Sequence, residues 1–233
     1  MTETQQTAAD PKDAILDAAL IHVAFDGWSE TALAAACADA GVDRSVARSI
    51  FPRGPIDLAI AFHKRGDAAM IAKIRSEDMG ALRFRDRVAA AVRFRLEAIE
   101  DKEAVRRGAT LFALPMYAPE GARLVWGTAD LIWSTLGDTS TDGNWYTKRA
   151  TLSGVYSSTV LYWLGDSSDG HSATWAFLDR RIDDVMRIEE LKASVNKNPL
   201  LRNLFAGPNW VLSRMKAPNQ MSRADLPGSF TPK

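Results

Sequence analysis

The chain has 233 residues, 46 % apolar and 25 % charged, with 29 basic side chains balanced by 29 acidic ones and a single cysteine, Cys37. This composition excludes disordered, collagen-like and disulfide-stapled proteins, and the zero net charge removes the overall basic excess with which free nucleic-acid binders collect phosphate contacts. Cys37 has no partner for an internal disulfide and fits the role of a small buried apolar group.

Met1–Asp10 has neither the Arg-rich amphipathic pattern of a transit peptide nor the apolar run of a secretory signal, and no window reaches the roughly 20 apolar residues of a membrane span. The expected location is therefore a bacterial cytosol. Apolar residues recur at helical spacing, and alternating β-branched runs bounded by turn residues are missing, so the expected fold is all-α.

A polar arm over 1–11, expected to be disordered, precedes Ala14–Phe25, which ends at Gly27 as a C-terminal cap would. Ser29 can cap a second helix, Glu30–Ala40, stopped by Gly41, and Asp43 can cap a third, Arg44–Phe51, before Pro52 and Gly54. Three short helices with a glycine turn between the last two make a helix-turn-helix-like segment over 12–54.

A helical bundle is expected over 55–191. Pro55–Asp78 starts with proline at its first position. Leu82–Glu100 and Asp101–Leu114 carry Arg and Glu three and four apart, and the run Arg83, Arg85, Arg87, Arg93, Arg95 points around a helix rather than along a phosphate stripe. Glu120–Leu136 holds Trp126 and Trp133. The next helix, capped by Asp142 or Asn144, runs to Trp163 and combines Leu152, Val155 and Leu161 with the small residues Ala150, Gly154, Ser157 and Ser158. Small residues at that spacing either admit a neighbouring helix or leave room for a ligand. Ser172–Leu191 is amphipathic. From 192 to 216 there are five basic residues and no acidic one, with an apolar stripe through Leu201, Leu204, Phe205, Trp210 and Leu212, as in a helix lying in a membrane interface. The last stretch, 217–233, reads as a disordered tail.

Catalytic signatures are missing. No Gly-x-Gly-x-x-Gly, phosphate-loop or Gly-x-Ser-x-Gly pattern occurs, and His22, His63 and His171 lie far apart with no Glu three positions before any of them. No cofactor, no metal and no enzymatic site are expected.

The first sixty residues resemble the DNA-binding end of TetR-type regulators: Ile15-Leu16-Asp17-Ala18-Ala19, then Gly27, then Ala36 through Ala40-Gly41-Val42, and a short helix ending in Phe51-Pro52. The third helix departs from that pattern, with Ala47, Arg48, Ile50 and Gly54 where those regulators tend to place aromatic phosphate contacts and a lysine. A more specific resemblance runs from Leu114 to Met186, through Leu114-Pro115 with Pro119, Trp133 to Gly137-Asp138, Ser140-Thr141-Asp142-Gly143-Asn144-Trp145-Tyr146-Thr147-Lys148-Arg149-Ala150, Asp166-Ser167-Ser168, and Thr174-Trp175-Ala176-Phe177-Leu178 with Arg181 and Asp184. These residues resemble the Coq nine family of ubiquinone-biosynthesis accessory proteins, which have a TetR-like fold and bind lipid.

That resemblance implies a non-enzymatic homodimer holding an isoprenoid quinone lipid and presenting it, on the inner face of a bacterial membrane, to the di-iron demethoxyubiquinone hydroxylase. The expected lipid-binding set is Leu111, Leu114, Leu131, Ala150, Gly154, Val155, Ser158 and Leu161. The expected hydroxylase surface is Asp142, Trp145, Tyr146, Lys148 and Arg149. The expected membrane set is Lys197, Leu201, Arg202, Leu204, Phe205, Trp210, Leu212 and Arg214. The alternative is a TetR-type transcription regulator with a hydrophobic effector pocket, in which Arg44, Arg48 and Arg53 meet DNA phosphates; under the first reading no nucleic acid is bound.

Overall fold

A computed structural model describes residues 10–141 and 143–197, with side chains up to 185 and at 187. The arm before residue 10, Asp142, and the expected membrane segment and tail beyond Lys197 lie outside the described residues. Among the described residues there are nine α-helices, one short 3-10 turn and no strand: α1 Pro11–Asp26, α2 Glu30–Asp39, α3 Arg44–Ile50, α4 Pro55–Ser76, α5 Phe84–Glu97, α6 Lys102–Ala113, α7 Ala118–Thr135, α8 Gly143–Gly165 and α9 Ser172–Lys197. The fold is all-α, as its periodicity demands. Helix α9 runs through Lys197 and so passes the boundary expected at Leu191.

The helix starts follow side-chain chemistry. Asp10 accepts from the backbone N–H of Lys12, Ser29 from Ala32, Asp43 from Ser45 and Asp101 from Glu103, each satisfying one amide that the first helical turn leaves without a partner. Gly27 and Gly41 close α1 and α2 with φ of 66° and 63°, where a side chain would be strained.

The helices pack as two units, and the division falls elsewhere than the expected boundary after residue 54. The first comprises the described part of Met1–Ala81 with Ala90–Thr128. One core cluster joins Ile15, Leu16, Ala19 and Val23 of α1 to Ala32, Ala36 and Cys37 of α2, Ala47 of α3, Leu58, Ala59 and Ala61 of α4, and Ala104 of α6. The three N-terminal helices therefore share their core with α4 and α6 and do not stand as a separate segment. The Trp28 indole N–H donates to the Ala104 carbonyl at 3.0 Å, fixing the α1–α2 turn to α6. Burial pushes the Cys37 thiol pKa up despite the nearby Arg44, so it stays a protonated, inert core group.

The same unit contains a buried polar network. Arg95 Nε donates to Asp67 Oδ1 at 2.7 Å and its Nη2 to the His63 carbonyl at 2.9 Å. The Thr128 hydroxyl donates to Asp67 at 2.9 Å, and His63 Nε2 lies 2.9 Å from the Thr128 hydroxyl oxygen. Gly66 is required here, because a Cβ would sit 2.3 Å from Arg95 Nη1.

The second unit comprises Leu82–Ala89 and the described part of Ala129–Lys233. Helices α8 and α9 pack on each other. Their buried residues are Leu152, Val155, Tyr156 and Trp163 on α8 and Leu178 and Ile182 on α9, with Ala129 and Ile132 buried on α7. Asp166 anchors the α8–α9 loop by accepting from the backbone N–H groups of Ser168 and Thr174 and from the Thr174 hydroxyl. The hydrogen bonds from Thr174, then Ser168, hold its carboxyl pKa well below the usual range.

Candidate functional site

The second unit holds a half-open cavity of about 440 Å3 between residues of α5, α7, α8 and α9. This volume falls within the range of small-molecule sites. Its lining changes character along α8. Asn144, Thr147, Lys148 and Thr151 occupy the first turns, whereas Leu152 and Val155 follow deeper in the helix, faced by Val88 of α5 and Ile182 and Val185 of α9. Because residues three and four apart share a helical face, one side of α8 runs from polar to apolar. A cavity so built suits an amphipathic molecule with its polar end at the start of α8.

One wall is a run of cation–aromatic and aromatic–aromatic contacts. The Arg87 guanidinium lies 5.5 Å from the Phe84 ring centre, Phe84 stacks on Trp133 at 5.4 Å, and Lys148 Nζ lies 5.1 Å from the Trp133 ring centre. The Trp133 indole N–H donates to the Lys148 carbonyl at 3.2 Å, so this aromatic is oriented by α8 itself.

Both cationic side chains of the lining carry a carboxylate partner. Lys148 Nζ donates to Asp138 Oδ1 at 2.8 Å and to the Ser140 hydroxyl oxygen at 2.6 Å. Arg85 is paired with Asp183 and, at 3.2 Å, with Asp86. The cavity thus presents hydrogen-bonding capacity without an uncompensated positive charge. Beneath it, Arg149 is 2 % exposed and donates to Asp130 at 2.5 Å, to Asp138 at 3.0 Å and to the Trp145 carbonyl at 3.2 Å, with its guanidinium 4.0 Å from the Trp145 ring centre. Burial pulls the Asp138 carboxyl upward, but hydrogen bonds from Lys148, Ser140 and Arg149 outweigh it and hold the pKa at about 2.

The structure redistributes the residues singled out in the sequence. Of the expected lipid set only Val155 lines this cavity. Leu111 packs among residues of the first unit, and Leu114 is 45 % exposed. Ala150 and Gly154 are exposed and Leu161 is 67 % exposed, because they lie on a neighbouring face of α8 rather than the inward one. Leu131 and Ser158 are partly buried but do not line the cavity. In the expected hydroxylase surface, Trp145 and Tyr146 are half-buried and meet edge to face at 4.8 Å, Lys148 belongs to the cavity wall, and Arg149 is interior. Arg149 is therefore a packing residue rather than a contact surface: two carboxylates and an aromatic face already saturate it. Lys197 ends α9; Leu201, Arg202, Leu204, Phe205, Trp210, Leu212 and Arg214 lie outside the described residues.

Phe84, Arg85, Trp133, Thr151, Ile182 and Val185 are cavity residues that sequence reasoning missed. The one available signal was the Thr147, Thr151, Val155 spacing on α8. On α3, Arg44 and Arg48 are exposed, and together with Arg53, which pairs with Asp57 at 2.7 Å, they line one surface depression with Glu30 on its rim.

A family model for COQ9 matches residues 118–189. The chain is 33 % identical over 180 residues to the mitochondrial ubiquinone biosynthesis protein COQ9 of Drosophila melanogaster, an alignment covering 75 % of this chain and 55 % of the fly protein. It is 31 % identical over 185 residues to the human protein of the same name, covering 75 % and 57 % respectively. For COQ9-B of Xenopus laevis the identity is 31 % over 196 residues, with 79 % and 66 % coverage. The chain thus spans little more than half the length of the fly and human relatives. Among solved structures, a TetR transcriptional regulator from Nitrosomonas europaea superposes with a TM-score of 0.61 and 22 % identity over 75 % of this chain and 96 % of that one, which shows a TetR-like fold. The expected bacterial cytoplasmic location is corrected by the relatives, which are named as mitochondrial proteins. With the helical architecture and the sequence between α7 and α9 pointing the same way, the chain belongs to the COQ9 family.

Proposed function

We propose that this chain is a non-catalytic accessory protein of ubiquinone biosynthesis, holding an isoprenoid quinone intermediate in the second-unit cavity and presenting it at a membrane surface to the di-iron demethoxyubiquinone hydroxylase. The observation that carries the reading is the α8 wall, polar at Asn144 and Lys148 and apolar from Leu152 to Val155, in a cavity with no unpaired cation. A quinone ring offers neutral carbonyl acceptors to such a polar end, and the prenyl chain offers apolar surface to the other. At about 440 Å3 the cavity takes the ring and the first part of the chain. The remainder of a long tail would stay in apolar surroundings, consistent with the acid-free segment 192–216 acting as an interfacial anchor. The relatives' names place them in the same pathway.

Thr151→Trp tests this reading by filling the cavity from a partly buried position. Native lipid extraction and mass spectrometry should find an isoprenoid quinone with the unaltered chain and roughly tenfold less with the variant, at unchanged helical circular dichroism. Equal quinone in the two, or none in either, would sink the reading. The hydroxylase is expected to dock at Trp145 and Tyr146, and Tyr146→Arg should weaken its co-purification by about tenfold while leaving bound lipid unchanged.

A further inference from the structure

At the start of α5, Leu82 and Phe84 are each 41 % exposed, on either side of Arg83, whose side chain is 75 % exposed. Large apolar side chains left in water two residues apart are unfavourable for a surface that meets only solvent. Phe84 belongs to two surfaces at once. It lines the cavity and stacks on Trp133, yet a large part of it faces outward. The outer surface of this segment is therefore the outer surface of the cavity wall.

The charges around it select the partner. Residues 82–88 carry Arg83, Arg85 and Arg87 against Asp86, and Asp183 of α9 is also paired to Arg85, which leaves a net of one positive charge on this segment. The Arg83–Asp86 pair, at 2.7 Å three residues apart, is solvent-exposed and weak, so Arg83 is readily surrendered to a phosphate. An exposed arginine between two part-exposed apolar side chains suits a boundary between acyl chains and anionic headgroups, where the stem lies along apolar surface and the guanidinium stays with the phosphates. We propose that Leu82, Arg83 and Phe84 form a bilayer-docking tip at the mouth of the second-unit cavity, so that an amphipathic lipid passes between membrane and cavity beside Phe84 without crossing water. The proposal rests on the reading of that cavity as a lipid site, and it makes Phe84 the door leaf of the wall it stacks against.

The test uses the full chain with Leu82→Cys carrying an environment-sensitive nitrobenzoxadiazole probe; Cys37 is buried and does not compete for the label. On vesicles of phosphatidylcholine with phosphatidylglycerol, the probe should shift to the blue and be quenched by nitroxide-labelled acyl chains. An aqueous spectrum, whether or not the protein floats with the vesicles, overturns the tip and leaves this surface to a protein partner. Separately, Leu82→Asp should slow transfer of a long-chain prenylated quinone from those vesicles roughly tenfold, the scale of one part-buried leucine side chain. Binding of decylubiquinone from solution, followed by calorimetry, should be unchanged in that variant. Equal transfer rates overturn the doorway. Failure of the unaltered chain to bind decylubiquinone strikes the cavity reading instead, and the probe spectrum still decides whether the tip meets lipid.

Discussion

Arg149 Nη1 lies 3.0 Å from Asp138 Oδ2 with both side chains withdrawn from water, 2 % and 4 % exposed. Removing the arginine leaves Asp138 a buried charge held only by Lys148 and Ser140, and breaking a buried pair in this way costs about 3–5 kcal/mol. Arg149→Met should therefore lower the urea-unfolding free energy by that amount, because Asp130 loses its 2.5 Å partner as well. A loss below about 1 kcal/mol would mean that the network is looser than its geometry.

Acid should unfold the protein in two stages. Burial, opposed by Asp67, lowers the His63 pKa to about 4. The unfolded chain binds this proton from about pH 6.5 downward, whereas the folded one does so only near 4, so stability falls as pH drops through that window and levels off below it. The loss is roughly 3 kcal/mol. Asp138, held at about 2, contributes stability that is complete above its unfolded pKa and is lost as pH falls from about 4 to 2. Unfolding free energy measured against pH should lose the first slope in His63→Gln and keep the second.

Gly66→Ala should destabilise, although alanine for glycine inside a helix ordinarily gains up to about 1 kcal/mol. Its Cβ would meet the Arg95 guanidinium at 2.3–2.9 Å, and Arg95 is pinned by Asp67 and the His63 carbonyl. An overpacking cost of about 1–3 kcal/mol is expected, readable as a lower thermal midpoint. Gly154→Ala, with nothing within 4 Å of its Cβ, supplies the contrast and should not destabilise.

The helices and several of their caps were legible because a cap is local: Ser29 and Asp43 act on amides two and three residues away. The cavity was not, because Phe84, Trp133 and Ile182 come from three helices and meet only through tertiary packing. Arg149 was misread for the same reason. Four residues after Trp145 it suits a surface pair, and nothing within the block announces that Asp138 and Asp130 will enclose it. Conversely, the Arg83 to Arg95 run resolved as expected into separate directions, with Arg83 on Asp86, Arg93 on Glu97 and Arg95 on buried Asp67.

The outward face of α8 sets the expected oligomer. Ala150 and Gly154 are exposed there, Leu161 is 67 % and Tyr162 40 % exposed, and Tyr162 stacks on Phe177 at 4.5 Å. Small residues beside large apolar ones admit a second helix closely, and light scattering should report twice 25.5 kDa. Leu161→Arg should weaken this association at least tenfold, since an arginine in an apolar interface core loses hydration without gaining a partner. Identical masses for the two chains across a dilution series would exclude this face.

Lys148 serves the cavity wall and the buried Asp138 at the same time. A cargo that draws the ammonium toward itself takes compensation from Asp138, and through it from Arg149, whereas a cargo that leaves the ammonium in place gains the full rigidity of α8. If the proposed cargo binds there, its binding and the opening of the 137–141 turn are coupled equilibria, and the factor by which an open turn weakens cargo affinity is the factor by which bound cargo disfavours the open turn. Polar-head chemistry would then be discriminated by how little it disturbs a lysine already in use.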